Sequence, residues 1–294
     1  MRKPLISCLS AMLLSSGAQA AAPPAGAGDP IVVTGERATE EQVQRFVKAL
    51  AIPSQSDKLA RFEKQVCPLS VGLKDGVNRD IEKRLRRVAV AAGLQVADPA
   101  CSANVLLFVT VDRKALLDTA SKSRPALFGR MPAGEIRALA ANPEPDVAWQ
   151  VLEVRGADGR TLDVGRDEST PSTLASVTSS RLLPQTRVDF DVAVVVIDSK
   201  AAANLTVTQL ADYVAMRTFA RTDPKAAAVQ GAPTILTLLA DKQAGRPSPL
   251  SLTEWDLAYL KALYGITNEL QAGAQRGELE QLMARNLGGA TRSN

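Results

Sequence analysis

The chain lacks histidine, the residue type that most often acts as a catalytic acid or base, in all of its 294 residues. A Ser-His-Asp triad or a Cys-His pair is therefore impossible. Catalytic zinc sites use three protein ligands, mostly histidine, and a site rebuilt from carboxylates would favour a harder, more weakly bound ion. Carboxylate chemistry and Ser/Lys chemistry remain open, since sequence spacing alone does not reveal a carboxylate pair.

Two Ser-Lys neighbours and one pair of aspartates are the candidate groups for those chemistries. Ser121-Lys122 and Ser199-Lys200 lie in predicted loops, and adjacent residues are not a dyad signature. Asp189 and Asp191 alternate along a strand and could act as acid and base, but their spacing is also typical of a solvated strand edge. We predict no catalytic residue, no metal ligand and no cofactor.

The N-terminus predicts export. Arg2 and Lys3 precede a short apolar run, and the small-x-small sequence Ala-Gln-Ala at 18–20 is typical of a cleavage site. We expect residues 1–20 to be a signal peptide and the mature protein to be periplasmic or secreted. A lipoprotein box ending at Cys8 is the alternative, although Cys8 precedes most of the apolar run.

Two cysteines remain after that cleavage, Cys67 and Cys101. In an oxidising compartment such cysteines usually pair. A redox or metal pair is the alternative, but those thiols usually stand only a few residues apart. We therefore predict a structural disulfide between Cys67 and Cys101.

The charge balance argues against a nucleic-acid partner. The chain has 35 basic and 31 acidic residues, and removing Arg2 and Lys3 leaves 33 basic residues, close to neutrality. The basic cluster at 79–87 is interleaved with Asp80 and Glu82, as on a solvated helix face. After residue 20 no run is long and apolar enough for a membrane span. The expected partner is an unknown envelope protein or ligand.

The apolar pattern predicts an α/β (α+β) fold: a mixed sheet with packed helices and a helical C-terminal third. A flexible leader with a short strand is expected at 21–38, a disulfide-clipped α/β unit at 39–155, an irregular loop at 156–186, and a strand followed by helices at 187–294. The expected helices are 39–64, 78–93, 132–141, 206–221, 234–241, 253–264 and 275–287, and the expected strands are 105–111, 148–155 and 187–198. In the last strand, positions 188, 190, 192, 194 and 196 are predicted to share one face.

The segment at 249–265, PLSLTEWDLAYLKALYG, contains a complete set of helix signals. Thr253 can cap the N-terminus, Asp256 stands three residues later to reach back, and Leu252 can pack on Leu257. The helix is apolar over most of its surface and should be buried, and Gly265 can end it.

This segment resembles the closing helix of metzincin zinc peptidases, such as matrixins and astacins, in which L-S-x-x-D leads to a terminal L-Y-G. The corresponding residues are Leu252-Thr253, Asp256 and Leu263-Tyr264-Gly265. Residues 233–236 take the place of the family's Met-containing turn beneath the metal, and 205–220 that of its zinc helix. The resemblance covers 187–265 and implies a metzincin-like C-terminal part.

The residues that would hold the metal differ from the family pattern, in which two His at i and i+4 flank a Glu, followed by a Gly and a third His. The simplest overlay puts Gln209 and Tyr213 at the paired His and Leu210 at the Glu. Met216 then replaces the Gly, and Phe219 the third His. The resemblance thus implies a pseudo-peptidase with these degenerate-site positions: Gln209, Leu210, Tyr213, Met216, Phe219 and Ile235. Ordinary packing of a buried helix is the alternative.

Residues 31–37, IVVTGER, resemble the start of the plug domain of TonB-dependent outer-membrane receptors. Such a receptor needs a barrel of about 22 strands, which the remaining chain cannot supply. The segment is then either a simple edge strand or an exposed strand that docks on a partner by β-augmentation.

Two functional hypotheses follow. The first is an exported, non-catalytic binding or structural protein on a degenerate metzincin-like scaffold. The second is a divergent hydrolase using carboxylate or Ser/Lys chemistry without His or zinc, which a cleft with convergent Asp, Glu or Lys side chains would favour.

Overall fold

The computed structural model describes residues 38–54, 58–156, 159–160, 186–228, 233–267 and 272–288. The predicted signal peptide, the predicted strand at 31–37 and most of the predicted loop at 156–186 lie outside these residues. The strands are β1 (Pro68–Val71), β2 (Val105–Thr110), β3 (Asp146–Gly156) and β4 (Thr186–Asp198). The α-helices are α1 (Glu40–Leu50), α2 (Asp75–Ala92), α3 (Arg113–Ser123), α4 (Ala133–Ala141), α5 (Ser199–Ala202), α6 (Val207–Phe219), α7 (Pro224–Ala228), α8 (Leu238–Gln243), α9 (Glu254–Gly265) and α10 (Ala272–Asn286), with 3₁₀ turns at Pro125–Leu127 and Ile235–Thr237.

A mixed four-stranded sheet with the order β1-β2-β4-β3 forms the centre of the fold. β1, β2 and β4 run parallel, and β3 pairs antiparallel with β4 at one edge. The pairing of β2 with β4 joins the predicted N-terminal unit and the C-terminal segment in one sheet. The predicted α/β class, mixed sheet and helical C-terminal third are confirmed.

Helices cover both faces of the sheet and enclose two apolar cores. The larger core, which we call the main core, lies between the sheet and α1, α2, α6, α9 and α10. The smaller core lies under α3 and α4, where Trp149 stacks on Phe128 with ring centroids 5.2 Å apart. The indole Nε1 of Trp149 donates to the Leu127 carbonyl at 2.7 Å, so the polar edge of the buried ring is satisfied.

Strand β4 contains a bulge at Asp191. Phe190 and Val192 pair with successive residues of β3, which leaves Asp191 without a partner on that strand. Phe190 therefore lies in the main core, whereas Val194 lies in the smaller one. The prediction that positions 188, 190, 192, 194 and 196 share one face is wrong, because one extra residue reverses the alternation of side chains.

The observed bounds of several helices and strands differ from the predicted ones. α1 ends at Leu50 rather than 64, before Pro53, because the residue ahead of a proline is biased away from helical geometry. α2 begins at Asp75 rather than at the predicted residue 78. Gly93, at the end of the predicted helix, follows α2 in the left-handed conformation, at φ 91°. β1 and α3 were not predicted, because β1 is only four residues long and α3 has a weak apolar stripe.

The predicted disulfide between Cys67 and Cys101 is present, with Cα atoms 6.0 Å apart. It connects the residue before β1 to the segment leading into β2. Asn104 supports the same corner, since its Oδ1 accepts the Cys67 amide at 2.7 Å. Within the described residues, no helix is long and apolar enough to cross a membrane.

Loss of this disulfide should destabilise the protein strongly. The bond closes a loop with a sequence separation of 34. The chain-entropy model predicts that replacing both cysteines (Cys67→Ser with Cys101→Ser) lowers the free energy of unfolding by about 3–4 kcal/mol. Urea unfolding of both proteins, with and without reductant, measures this. Reductant should lower the stability of the native protein and leave the double variant unchanged; equal stability of the two proteins would contradict the expectation.

Candidate functional site

Helix α6 carries most of the degenerate-site positions and is buried on all sides. Every residue from Gln209 to Phe219 is buried. A capping box begins the helix: Thr206 Oγ1 accepts the Gln209 amide at 3.1 Å, and Gln209 Oε1 accepts the Thr206 amide at 3.2 Å. Because water does not reach this helix, its polar side chains need partners inside the protein.

The degenerate-site positions are all buried. All six are between 0% and 3% exposed. The Gln209 Nε2 donates to the Pro249 carbonyl at 2.9 Å, so this amide serves a structural contact. The other members are a phenol and four apolar side chains, in the main core: Leu210, Tyr213, Met216, Phe219 and Ile235. These residue types do not form a metal-ligand set. Across the described residues, no group of three or more His, Cys, Asp or Glu side chains could hold a metal ion.

Tyr213 is the degenerate-site residue whose polar group lies among charged side chains. Its side chain is fully buried, and its hydroxyl interacts with the side chains of Asp146 and Arg217. Burial, reinforced by the nearby negative charge of Asp146, raises the pKa of Tyr213 well above its usual value. The hydroxyl is therefore neutral and lies beside the ion pair of Asp146 and Arg217.

Asp256, in the first turn of α9, connects this helix to the turn at Ile235. Its Oδ2 accepts the Ile235 amide at 2.8 Å, and its Oδ1 accepts the Thr234 hydroxyl at 2.6 Å. The capping box predicted for Thr253 and Asp256 is also present. Burial raises the pKa of Asp256, and hydrogen bonds from Thr234, Ile235 and Thr253 oppose that rise. The sequence predicted the local cap but not the contact with residues more than 20 positions away.

Removing the Asp256 carboxylate should cost much more stability than an ordinary helix-cap substitution. Asp256→Ala leaves the buried donors of Thr234, Ile235 and Thr253 without an acceptor, so we expect a loss of about 3 kcal/mol or more in the free energy of unfolding. Urea unfolding is the measurement. Glu254→Ala, a matched loss of an acidic side chain in the same helical turn, should change stability by about 0.5 kcal/mol or less. Similar losses in the two variants would show that the contact to the turn is unimportant.

A second polar cluster surrounds a cavity of about 280 Å³ at the C-terminal end of α6. Asp146 and Arg217 form a buried ion pair at 2.9 Å, and Glu144 and Lys225 form an exposed one at 2.7 Å. The lining residues come from α4, the start of β3, the end of α6 and the start of α7: Leu139, Asn142, Glu144, Asp146, Val147, Ala148, Arg217, Asp223, Pro224 and Lys225. We call this feature the α6-end cavity.

Sequence inspection missed the α6-end cavity because its residues come from segments about 70 positions apart. One available signal was Arg217, one of two charged residues in a mostly apolar helix. A charge at such a position is rarely buried without a partner. The identity of that partner, Asp146, depends on the tertiary structure.

The catalytic candidates raised by the sequence do not line this cavity. Ser121 donates its hydroxyl to the Asp118 carbonyl within α3, and Ser199 begins α5. Asp189 is buried and paired with Arg187 at 3.0 Å, so the solvated edge expected there is wrong for this residue. Burial raises the pKa of Asp189, and Arg187 opposes that rise. Asp191 pairs instead with Lys64.

Comparison with known proteins gives no assignment for either cluster. No family model, curated protein or solved structure matches the chain.

Proposed function

We propose that this chain is an exported, non-catalytic binding protein on a degenerate metzincin-like scaffold. The observation that carries the proposal is the burial of α6. Where the resemblance would place a metal centre, the chain has core side chains instead. A buried helix with no histidine offers neither the ligands nor the open coordination position of a catalytic zinc site.

The connections among the C-terminal elements support the proposed scaffold. A strand, a short linking helix, α6, the turn at Ile235 and the closing helix α9 follow in the order that the resemblance requires. Three hydrogen bonds hold these elements together. Asp212 accepts the Leu252 amide at 2.7 Å, Asp256 accepts the Ile235 amide, and the Tyr264 hydroxyl donates to the Phe219 carbonyl at 2.8 Å.

The proposal predicts a protein that neither retains zinc nor cleaves peptides. Elemental mass spectrometry of the purified protein should find well under one zinc per chain, and a quenched-fluorescence peptide mixture should stay intact with or without a chelator. Added zinc should leave the thermal midpoint unchanged, because only a ligand that binds the folded state raises it. Stoichiometric zinc together with chelator-sensitive cleavage would overturn the proposal.

A divergent hydrolase is the second candidate, and one observation favours it. Glu144, Asp146, Asp223 and Lys225 converge on the α6-end cavity. However, the hydrogen bond to Glu144 raises the pKa of Lys225, which keeps this amine protonated and unsuited to act as a base. No serine or threonine is among the described lining residues, so the Ser/Lys version has no nucleophile there. Cleavage that persists in the presence of chelator and is lost in Glu144→Gln would establish this candidate instead.

The location of the protein belongs to the same proposal. The disulfide is compatible with an oxidising compartment. We expect the mature protein in the periplasmic fraction or the medium, with Ala21 as its first residue, because cleavage should follow Ala20. Intact-mass measurement of the fractionated protein tests this. A chain that keeps residues 1–20 and stays in the cytoplasm would contradict it.

A further inference from the structure

The α6-end cavity has a polar inner wall, a charged rim and an apolar side. Asp146 and Arg217, at 7% and 8% exposure, form the inner wall. Glu144 and Lys225 form the solvent-exposed rim. Four apolar residues form the apolar side: Leu139, Val147, Ala148 and Pro224. A volume of about 280 Å³ is at the small end of ligand pockets, so it suits a ligand smaller than a typical drug.

Buried arginines hold both sides of the cavity in place. Arg113 donates to the Asn142 carbonyl at 2.7 Å and to the Glu144 carbonyl at 2.6 Å, which fixes the rim on the side of β3. Arg217 donates to the carbonyl of Thr222, which fixes the residue before Asp223 on the other side. A cavity held in this way needs little ordering when a ligand enters.

The charges that line the cavity favour a cation. Two basic and three acidic side chains line it, which leaves one negative charge in excess. Arg217 is paired with Asp146, and Lys225 with Glu144. Asp223 accepts the Lys225 backbone amide at 2.9 Å, and its charge acts on both Arg217 and Lys225, but it forms no direct ion pair within the described residues. An anionic ligand would have to displace an existing pair, whereas a cation can use Asp223 directly.

We propose that the α6-end cavity binds an organic monocation, namely a primary ammonium or guanidinium group on a short alkyl chain. Asp223 is its counter-ion, and the apolar side contacts the alkyl chain. Free amines and the basic side chains of peptides share this chemistry. The inference deepens the proposed binding function by giving it a site and a ligand class, and it rests on that function. A divalent metal ion fits less well, because it requires several oxygen ligands at short range.

The test is an NMR titration of the mature protein with n-butylammonium chloride and, separately, with the blocked tripeptide acetyl-Gly-Lys-Gly-amide. Amide shifts should concentrate at Val147, Ala148 and Lys225. Sodium butyrate, which has the same chain length but the opposite charge, should produce none there. If both cations bind, a free amine is sufficient; if only the tripeptide binds, the ligand is a basic side chain of a peptide.

Two variants and one matched control decide the outcome. Asp223→Asn keeps an acceptor for the Lys225 amide but removes the charge, and it should weaken butylammonium or tripeptide binding about tenfold. Ala148→Leu fills the cavity without changing charge and should abolish the shifts. Asp80→Asn makes the same charge change on the exposed face of α2 and should leave affinity unchanged.

Three results would overturn the inference. These are no saturable shifts at the cavity with either cation, equal binding of butyrate, and unchanged affinity in Asp223→Asn. None of them depends on zinc content or peptide cleavage. Failure of the ligand assignment is therefore distinguishable from failure of the proposed non-catalytic function.

Discussion

The buried ion pair between Arg84 and Asp212 is the interaction on which the arrangement around α6 depends. It is bidentate, with nitrogen-to-oxygen distances of 2.7 and 2.8 Å, and both side chains are at most 1% exposed. Asp212 also accepts the Leu252 amide, so a single carboxylate joins α2, α6 and the segment that precedes α9. Charges so far from water are tolerated only when pairing and further hydrogen bonds offset the loss of hydration.

Once α6 is held in the interior, the other polar groups along it must also find partners inside the protein. Gln209 uses its amide to contact Pro249, and Arg217 pairs with Asp146. Each partner lies on a different element, so the polar residues of the helix set the positions of the elements around it. The apolar side chains of α6, such as Leu210 and Phe219, serve packing in the main core.

The sequence predicted the elements whose signals are local. Thr253 and Asp256 begin α9, and Gly93 follows α2 in the left-handed conformation, because caps and left-handed glycines act over a few residues. Gly265 is the last residue of α9, as predicted, but it is not left-handed. Prediction failed where the cause lay elsewhere in the chain. The bulge at Asp191 depends on the pairing of β4 with β3, and the four-residue strand β1 is stabilised by its parallel partner β2.

The sequence by itself determined which chemistries are possible. A chain without histidine excludes the triads and the usual zinc site, and the spacing of Cys67 and Cys101 favoured a structural bond over a redox pair. Only the tertiary structure decided which charged residues meet: Arg84 with Asp212, Arg217 with Asp146, and Asp223 beside a cavity without an ion-pair partner among the described residues. The physical reason is that side-chain type is a property of each residue, whereas burial and pairing depend on packing between segments far apart in the chain.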